Sequence, residues 1–306
     1  MLGQNMKVGN TRLVRLSQIE KRYGLQAALY AKLESENEGG SIKDRVAIAI
    51  IDQAEKEGRL QKGGVIVEAT SGNTGVGLAL VGKARGYKTL IVMPDSMSVE
   101  RRQLIQSYGG EIVLTDGKKG MQGAVERAQE IVQNTPNSLL ADQFNNPACV
   151  LAHYQTTGPE IWSQTEQKTD IFVAAVGTGG TLTGIGKFLK EQNANIRVVA
   201  VEPEKSPLLS QGRAAAHAIQ GIGANFVPAV LDKTVYDEVL TVADEEAFAT
   251  ARLLRKAENL FVGISSGANV AAAVLLAKRA ENKGKNIVTI LPDDGGRYAS
   301  IPEFMQ

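Results

Sequence analysis

Cysteine is nearly missing from this chain. Cys149 stands alone among 306 residues, which excludes an internal disulfide and a cysteine-rich metal site. Histidine is almost as scarce. His153 and His217 have no second ligand at helical spacing, so both are expected to be structural or surface residues, and no metal site is expected. An excess of either charge is lacking too: the formal net charge of +1 provides no field to attract nucleic acid or an anionic membrane. The longest apolar run, Val270 to Ala277, is far too short to span a bilayer. No apolar signal core stands near the N-terminus, so cytoplasmic residence is the expectation. What is present, 43% hydrophobic and 22% charged residues, is the balance of an ordinary globular protein with chain enough for a large core.

Short β-branched runs alternate with helical stretches. The pattern predicts strands at Val65–Ala69, Thr89–Met93, Glu111–Thr115, Ser138–Ala141, Asp170–Val176, Arg197–Val201, Glu238–Val242 and Asn286–Leu291. Helical periodicity fills Asn73–Arg85, Ser98–Tyr108, Lys119–Gln133 and Thr181–Gln192. Strands apolar on both faces and separated by helices imply an α/β fold of parallel sheets covered on both sides. Two early runs, Arg12–Leu16 and Ala27–Leu33, read as antiparallel or peripheral. The strand number exceeds what one sheet comfortably holds, which predicts two α/β domains with a boundary near Asn145–Pro147.

Two glycine-threonine loops follow strands and precede helices: Thr70-Ser71-Gly72-Asn73-Thr74-Gly75 and Gly177-Thr178-Gly179-Gly180-Thr181. Backbone N–H groups at such a turn, with a helix dipole behind them, make an anion site. Neither loop is a nucleotide fingerprint, because Leu182 and Ile185 stand where a dinucleotide glycine and a P-loop lysine belong. A tight strand-to-helix connection is the plain alternative for either loop taken alone. Lys43, in Ser41-Ile42-Lys43-Asp44-Arg45, falls in the first turn of a helix that Ser41 would cap. There the dipole disfavours a cation and favours the neutral, nucleophilic amine. Gly39-Gly40 just before it permits close approach. Two anion loops and such an amine suggest a phosphate-bearing ligand, a carboxylate-bearing substrate and a Schiff base. Ser265, in Gly263-Ile264-Ser265-Ser266-Gly267-Ala268, either caps a helix Ala268–Ala280 or turns its hydroxyl toward a cofactor. A catalytically silent scaffold is the competing class, and Lys43 argues against it.

Together with Gln143-Phe144-Asn145-Asn146-Pro147 and Gln220-Gly221-Ile222-Gly223-Ala224, these segments stand in an order and at spacings that resemble the cysteine synthase/cystathionine β-synthase family of fold-type II pyridoxal 5′-phosphate enzymes over nearly the whole chain. The resemblance implies two open, twisted, mostly parallel sheets flanked by helices. It implies an N-terminal domain at 40–147, with a mobile part at about 87–133, and a C-terminal domain made of 1–39 and 148–306. It implies that Lys43 holds pyridoxal 5′-phosphate and moves the substrate Cα proton. Gly177, Thr178, Gly179, Gly180 and Thr181 would cradle the phosphate, Asn73 would bond the ring oxygen, and Ser265 would face the ring nitrogen. Thr70, Ser71, Asn73, Thr74 and Gln143 would bind the substrate carboxylate. The implied reaction is a transferase β-replacement that makes L-cysteine from O-acetyl-L-serine and sulfide. The alternative is a cystathionine or lanthionine β-synthase using homocysteine or cysteine; a serine/threonine dehydratase matches the motifs less well. A homodimer is implied. Many relatives also bind serine acetyltransferase, but Ala218 replaces the lysine of the usual Gly-Pro-His-Lys segment at Ala215–Ala218. Asn225 stands where sulfide-using members carry glycine and thiol-using relatives an acid.

Overall fold

A computed structural model describes residues 6–306. In chain order the elements are β1 (Leu13–Arg15), α1 (Ser17–Tyr23), β2 (Ala28–Leu33), α2 (Lys43–Lys56), β3 (Val65–Ala69), α3 (Asn73–Arg85), β4 (Lys88–Pro94), α4 (Val99–Ser107), β5 (Glu111–Thr115) and α5 (Gly120–Asn134). There follow β6 (Ser138–Leu140), α6 (Ala148–Ala152), α7 (Gly158–Gln164), β7 (Ile171–Ala175), α8 (Gly180–Gln192), β8 (Arg197–Pro203), α9 (Leu208–Gln211), β9 (Glu238–Val242), α10 (Asp244–Glu258), α11 (Ile264–Ala277), β10 (Asn286–Leu291) and α12 (Pro302–Met305). Every expected strand is present within two residues of its sequence bounds.

Packing divides the described chain into two units, residues 6–8 with Asn37–Ala152 and Gly9–Glu36 with His153–Gln306. Residues 1–5 of the segment 1–39 lie outside the described residues. In the first unit the strands run β5-β4-β3-β6, all parallel. The order reverses between β3 and β6, so the crevice at their carboxyl ends is where such a sheet takes a ligand. In the second unit the order is β1-β2-β10-β7-β8-β9, and only the β1–β2 pair is antiparallel. Its reversal falls between β7 and β10.

Parallel strands covered on both faces must be apolar throughout, and β7, β8 and β10 are buried along nearly their whole length. Ile171, Val173, Ile287 and Leu291 share a core with Val270, Leu276 and Leu254 from α11 and α10. Each such side chain contributes about 1.5–3 kcal/mol. The two early runs pair with each other antiparallel, as expected. β1 is an antiparallel edge, whereas β2 is interior, paired in parallel with β10. Lys32 on β2 is fully buried. Its Nζ lies 2.6 Å from Glu160, donates to the Thr11 carbonyl and bonds Gln164. Removing one partner of such a buried pair costs far more than the pair itself contributes.

Candidate active site

The first unit assembles Lys43, the Thr70–Gly75 loop and Gln143. Lys43 is the first residue of α2, with Val46, Ala47, Ile50, Ile51 and Ala54 forming the buried stripe behind it. The cap differs from the sequence reading, because Ile42, not Ser41, occupies the N-cap position. Ser41 still works locally: its Oγ accepts the Lys43 N–H at 3.2 Å, while Asp44 accepts the Gly39 N–H at 2.6 Å. Both side chains thus satisfy backbone donors at the entrance to α2. Gly77 on α3, which sequence reasoning overlooked, fixes the lysine further. A Cβ there would lie 2.9 Å from the Lys43 carbonyl oxygen and 3.3 Å from the Ala47 Cβ, so only glycine lets α3 press against the backbone of α2 at that residue. Its signal in the sequence is Gly75-Val76-Gly77, two glycines inside a helix, a costly choice without a packing reason.

The Thr70–Gly75 loop leaves the carboxyl end of β3 and enters α3 at Asn73. Thr70 is buried and its Oγ1 accepts the Gly72 N–H at 3.2 Å. Ser71 and Asn73 are half-buried. The Ser71 carbonyl is held by Arg101 of α4 at 3.0 Å, a second contact the sequence does not announce. The buried Thr74 hydroxyl donates to Gln143 Oε1 at 2.5 Å. Gln143 lies just past β6, so the topological reversal brings these two residues together across 69 positions of sequence. Cys149 donates its thiol to the Gln143 carbonyl at 3.3 Å. Burial, with Glu68 and Asp142 nearby, pushes that thiol up to about 12 despite the opposing charge of Lys43, so it remains an unreactive proton carrier near neutrality.

The second unit assembles Gly177–Thr181, Gly221 and Ser265. Gly177 packs so tightly on the Gly221 carbonyl that a Cβ would overlap it. Gly179 has φ +87°, and a Cβ there would sit 2.7 Å from the Leu231 side chain. Both glycines are therefore required by the backbone path. Among the described residues the N–H groups of Gly177, Thr178 and Gly179 meet no acceptor, and they stand at the start of the 13-residue helix α8. Unpaired donors at a helix start, with the side chains cleared away, fit a phosphate. The Thr181 hydroxyl is within 3.3 Å of His153 Nε2, whose Nδ1 meets Thr157 at 2.9 Å, so His153 links the loop to the helical segment that carries Thr157. His217 braces the neighbouring loop through the Gly223 carbonyl at 3.0 Å. Ser265 is buried and does not cap a helix. The helix begins at Ile264 with Gly263 as its cap, which corrects the start expected at Ala268. A Cβ on Gly221 would come to 3.8 Å from the Ser265 hydroxyl, so that hydroxyl lies near the cradle. A small, partly open cleft lies beside Gly177, walled by Glu202, Ser206, Asn225 and Phe226. Asn225 has φ +63°, a left-handed conformation that glycine, asparagine and aspartate adopt most readily, and its Oδ1 accepts the Ser206 hydroxyl at 3.1 Å.

The fold and sequence are shared with known proteins. The chain is 47% identical to a cysteine synthase of Staphylococcus aureus over 298 residues, 97% of this chain and 95% of that one. The solved cysteine synthase of Entamoeba histolytica superposes with a TM-score of 0.94 at 41% identity, covering 98% of this chain and 89% of that one. A solved O-ureido-L-serine synthase superposes with a TM-score of 0.93 at 42% identity, covering 98% and 95%. Two mostly parallel sheets flanked by helices are thus the fold-type II architecture. With residues 5–293 matching the family described as pyridoxal-phosphate dependent enzyme, the chain belongs to that family.

Proposed function

We propose that this protein forms L-cysteine and acetate from O-acetyl-L-serine and sulfide. The observation that carries the reading is the 47% identity to a cysteine synthase across nearly the whole chain. In such a chain Lys43 is backed onto Gly77, and the Thr74–Gln143 pair stands at the carboxyl edge of the same sheet. When bound, pyridoxal phosphate supplies an electron sink conjugated with the substrate α-carbon.

The chain's own residues do the rest. Gly177, Thr178, Gly179, Gly180 and Thr181 would bind the phosphate through backbone N–H groups and the helix start. Asn73 would bond the ring oxygen, and the Ser265 hydroxyl would serve the ring nitrogen without forcing a proton onto it. Thr70, Ser71, Asn73, Thr74 and Gln143 hold the substrate carboxylate and orient its Cα–H toward Lys43. Lys43 would hold the cofactor through its amine and, once that amine is freed by the incoming substrate, would remove the Cα proton and later return it. Between these steps the Cβ–O bond to acetate breaks and a Cβ–S bond to sulfide forms. Closure of residues 87–133 over the substrate excludes water meanwhile. Arg101, on α4 within that segment, grips the Ser71 carbonyl and offers a mechanical link.

The reading includes a cytoplasmic homodimer. Among the described residues no helix is long and apolar enough to cross a membrane. Serine acetyltransferase is left outside the reading, since Ala218 replaces the lysine of the docking segment and His217 is engaged with Gly223. Steady-state rates with sulfide, homocysteine and cysteine as acceptors test the proposal. Sulfide should give the highest kcat/KM. A higher value with homocysteine or cysteine would overturn it.

A further inference from the structure

Glu68, on the central strand β3, is a buried carboxylate that the reaction above does not use. It is 3% exposed, and among the described residues no lysine or arginine pairs with it. Its partners are two consecutive backbone amides: the Asp142 N–H donates to Oε2 at 2.8 Å, and the Gln143 N–H to Oε1 at 3.4 Å. The Gln143 side-chain amide faces it as well. Asp142 is left-handed at φ +50°, so the chain turns sharply where β6 ends and Gln143 begins. We propose that Glu68 is a positioning residue for the amino-acid substrate: by holding the Asp142 and Gln143 amides it aims Gln143 at Thr74 and fixes the carboxylate-binding arm without touching the substrate.

The inference rests on the reading of Thr74 and Gln143 as that arm. Glu68 sits two residues before Thr70 on the same strand, so it ties the turn after β6 to the strand that delivers the hydroxyl loop. The task suits an ionised carboxylate, which only accepts, whereas a glutamine would set an NH₂ group against one of the two N–H donors. Burial raises the acid to about 7, with the Asp142 charge adding to it and the N–H groups of Gln143 and Asp142 opposing it. The titratable groups around it are Asp142 on the turn, Cys149 on α6 and, within electrostatic range of Cys149, Lys43 at the start of α2. The arm is therefore held at its firmest above neutrality and loosens as Glu68 takes up a proton.

The test uses holoenzyme and L-alanine, an amino acid with no leaving group, followed by the change it causes in the cofactor spectrum. At pH 8, Glu68→Gln should raise the L-alanine dissociation constant and the KM for O-acetyl-L-serine by about five- to twenty-fold, with kcat within threefold of the parent. The ratio of variant to parent constants should shrink toward one as the pH falls below 7. In a Gln143→Ala background the same substitution should add less than twofold, as for residues acting through one another. Glu68→Asp keeps the charge but withdraws it from the two amides. It carries the test if Glu68→Gln does not fold, with at least a threefold loss expected at pH 8. Unchanged L-alanine affinity at pH 8, or a full loss persisting without Gln143, would overturn the inference. Because L-alanine has no leaving group, its binding does not depend on β-replacement, so failure to make cysteine would count against the proposed reaction and leave this result standing.

Discussion

The two glycine-threonine loops look alike in sequence and are built differently. In Gly177–Thr181 the glycines are compulsory: Gly177 lies on a backbone carbonyl, Gly179 is left-handed, and residues 178–180 are buried. In Thr70–Gly75 the first glycine is unconstrained; a Cβ on Gly72 would meet nothing closer than 3.9 Å, and its φ is −114°. What is fixed there is hydroxyl chemistry, with Thr70 and Thr74 buried and bonded while Ser71 and Asn73 remain half-open. The first kind of loop presents a rigid row of backbone donors, which suits a resident phosphate. The second presents side-chain groups that can exchange partners, which suits a substrate that arrives and leaves each turnover.

The largest effect expected lies outside both loops, at the amine they are read to serve. Lys43→Ala should lower turnover by at least about a thousandfold, the scale of losing an essential nucleophile and proton carrier, with borohydride then fixing no cofactor to the chain. Retained turnover would dissolve the comparison, since neither loop would then serve a reacting group. Next comes Gly177→Ala, whose methyl must displace the Gly221 carbonyl. Cofactor affinity should fall at least about thirtyfold, roughly 2 kcal/mol, with L-alanine binding to the remaining holoenzyme changed less than threefold. Equal losses in both would mean that the two loops share one ligand.

A subtler effect concerns stability. Glu68 has its acid raised from 4.5 to about 7, so between those values the folded state holds a proton that the unfolded chain has released. Stability therefore falls as pH rises through that window, by an amount approaching roughly 3 kcal/mol, and the loss is complete above it. Urea midpoints at pH 5 and pH 8 should differ less in Glu68→Gln than in the parent. An identical pH dependence in the two proteins would remove Glu68 as its source. The smallest effect is expected at Asn225. Its acceptor oxygen is engaged by Ser206 and its backbone already suits glycine, so Asn225→Gly should shift the sulfide-to-homocysteine ratio of kcat/KM by less than about threefold.

The sequence made the strands legible because parallel strands buried on both faces cannot hide their apolar runs, and the loops because glycine and hydroxyl residues cluster where those runs end. It misled where small residues serve packing instead. Ser265-Ser266-Gly267 reads as a turn, yet lies inside α11, because a Cβ on Gly267 would overlap the Ala247 carbonyl of α10. The roles of Gly77, Arg101 and Glu68 were hidden for a related reason. Each acts on a partner about 30 to 75 positions away, at Lys43, Ser71 and Asp142–Gln143, and no local pattern encodes that partner. Lys32 reversed the usual inference from charge to exposure, because its partners Glu160, Thr11 and Gln164 become visible only after folding.

The division of labour between the loops is tested most directly by a crossed measurement: pyridoxal 5′-phosphate affinity of the apoproteins and L-alanine affinity of the holoproteins, for Thr181→Val and Ser71→Ala against the parent. Thr181→Val should weaken the cofactor about tenfold and L-alanine by less than threefold, while Ser71→Ala should do the reverse. If Ser71→Ala instead releases the cofactor, or Thr181→Val weakens L-alanine as much as it weakens pyridoxal 5′-phosphate, the two loops are not divided between cofactor and substrate.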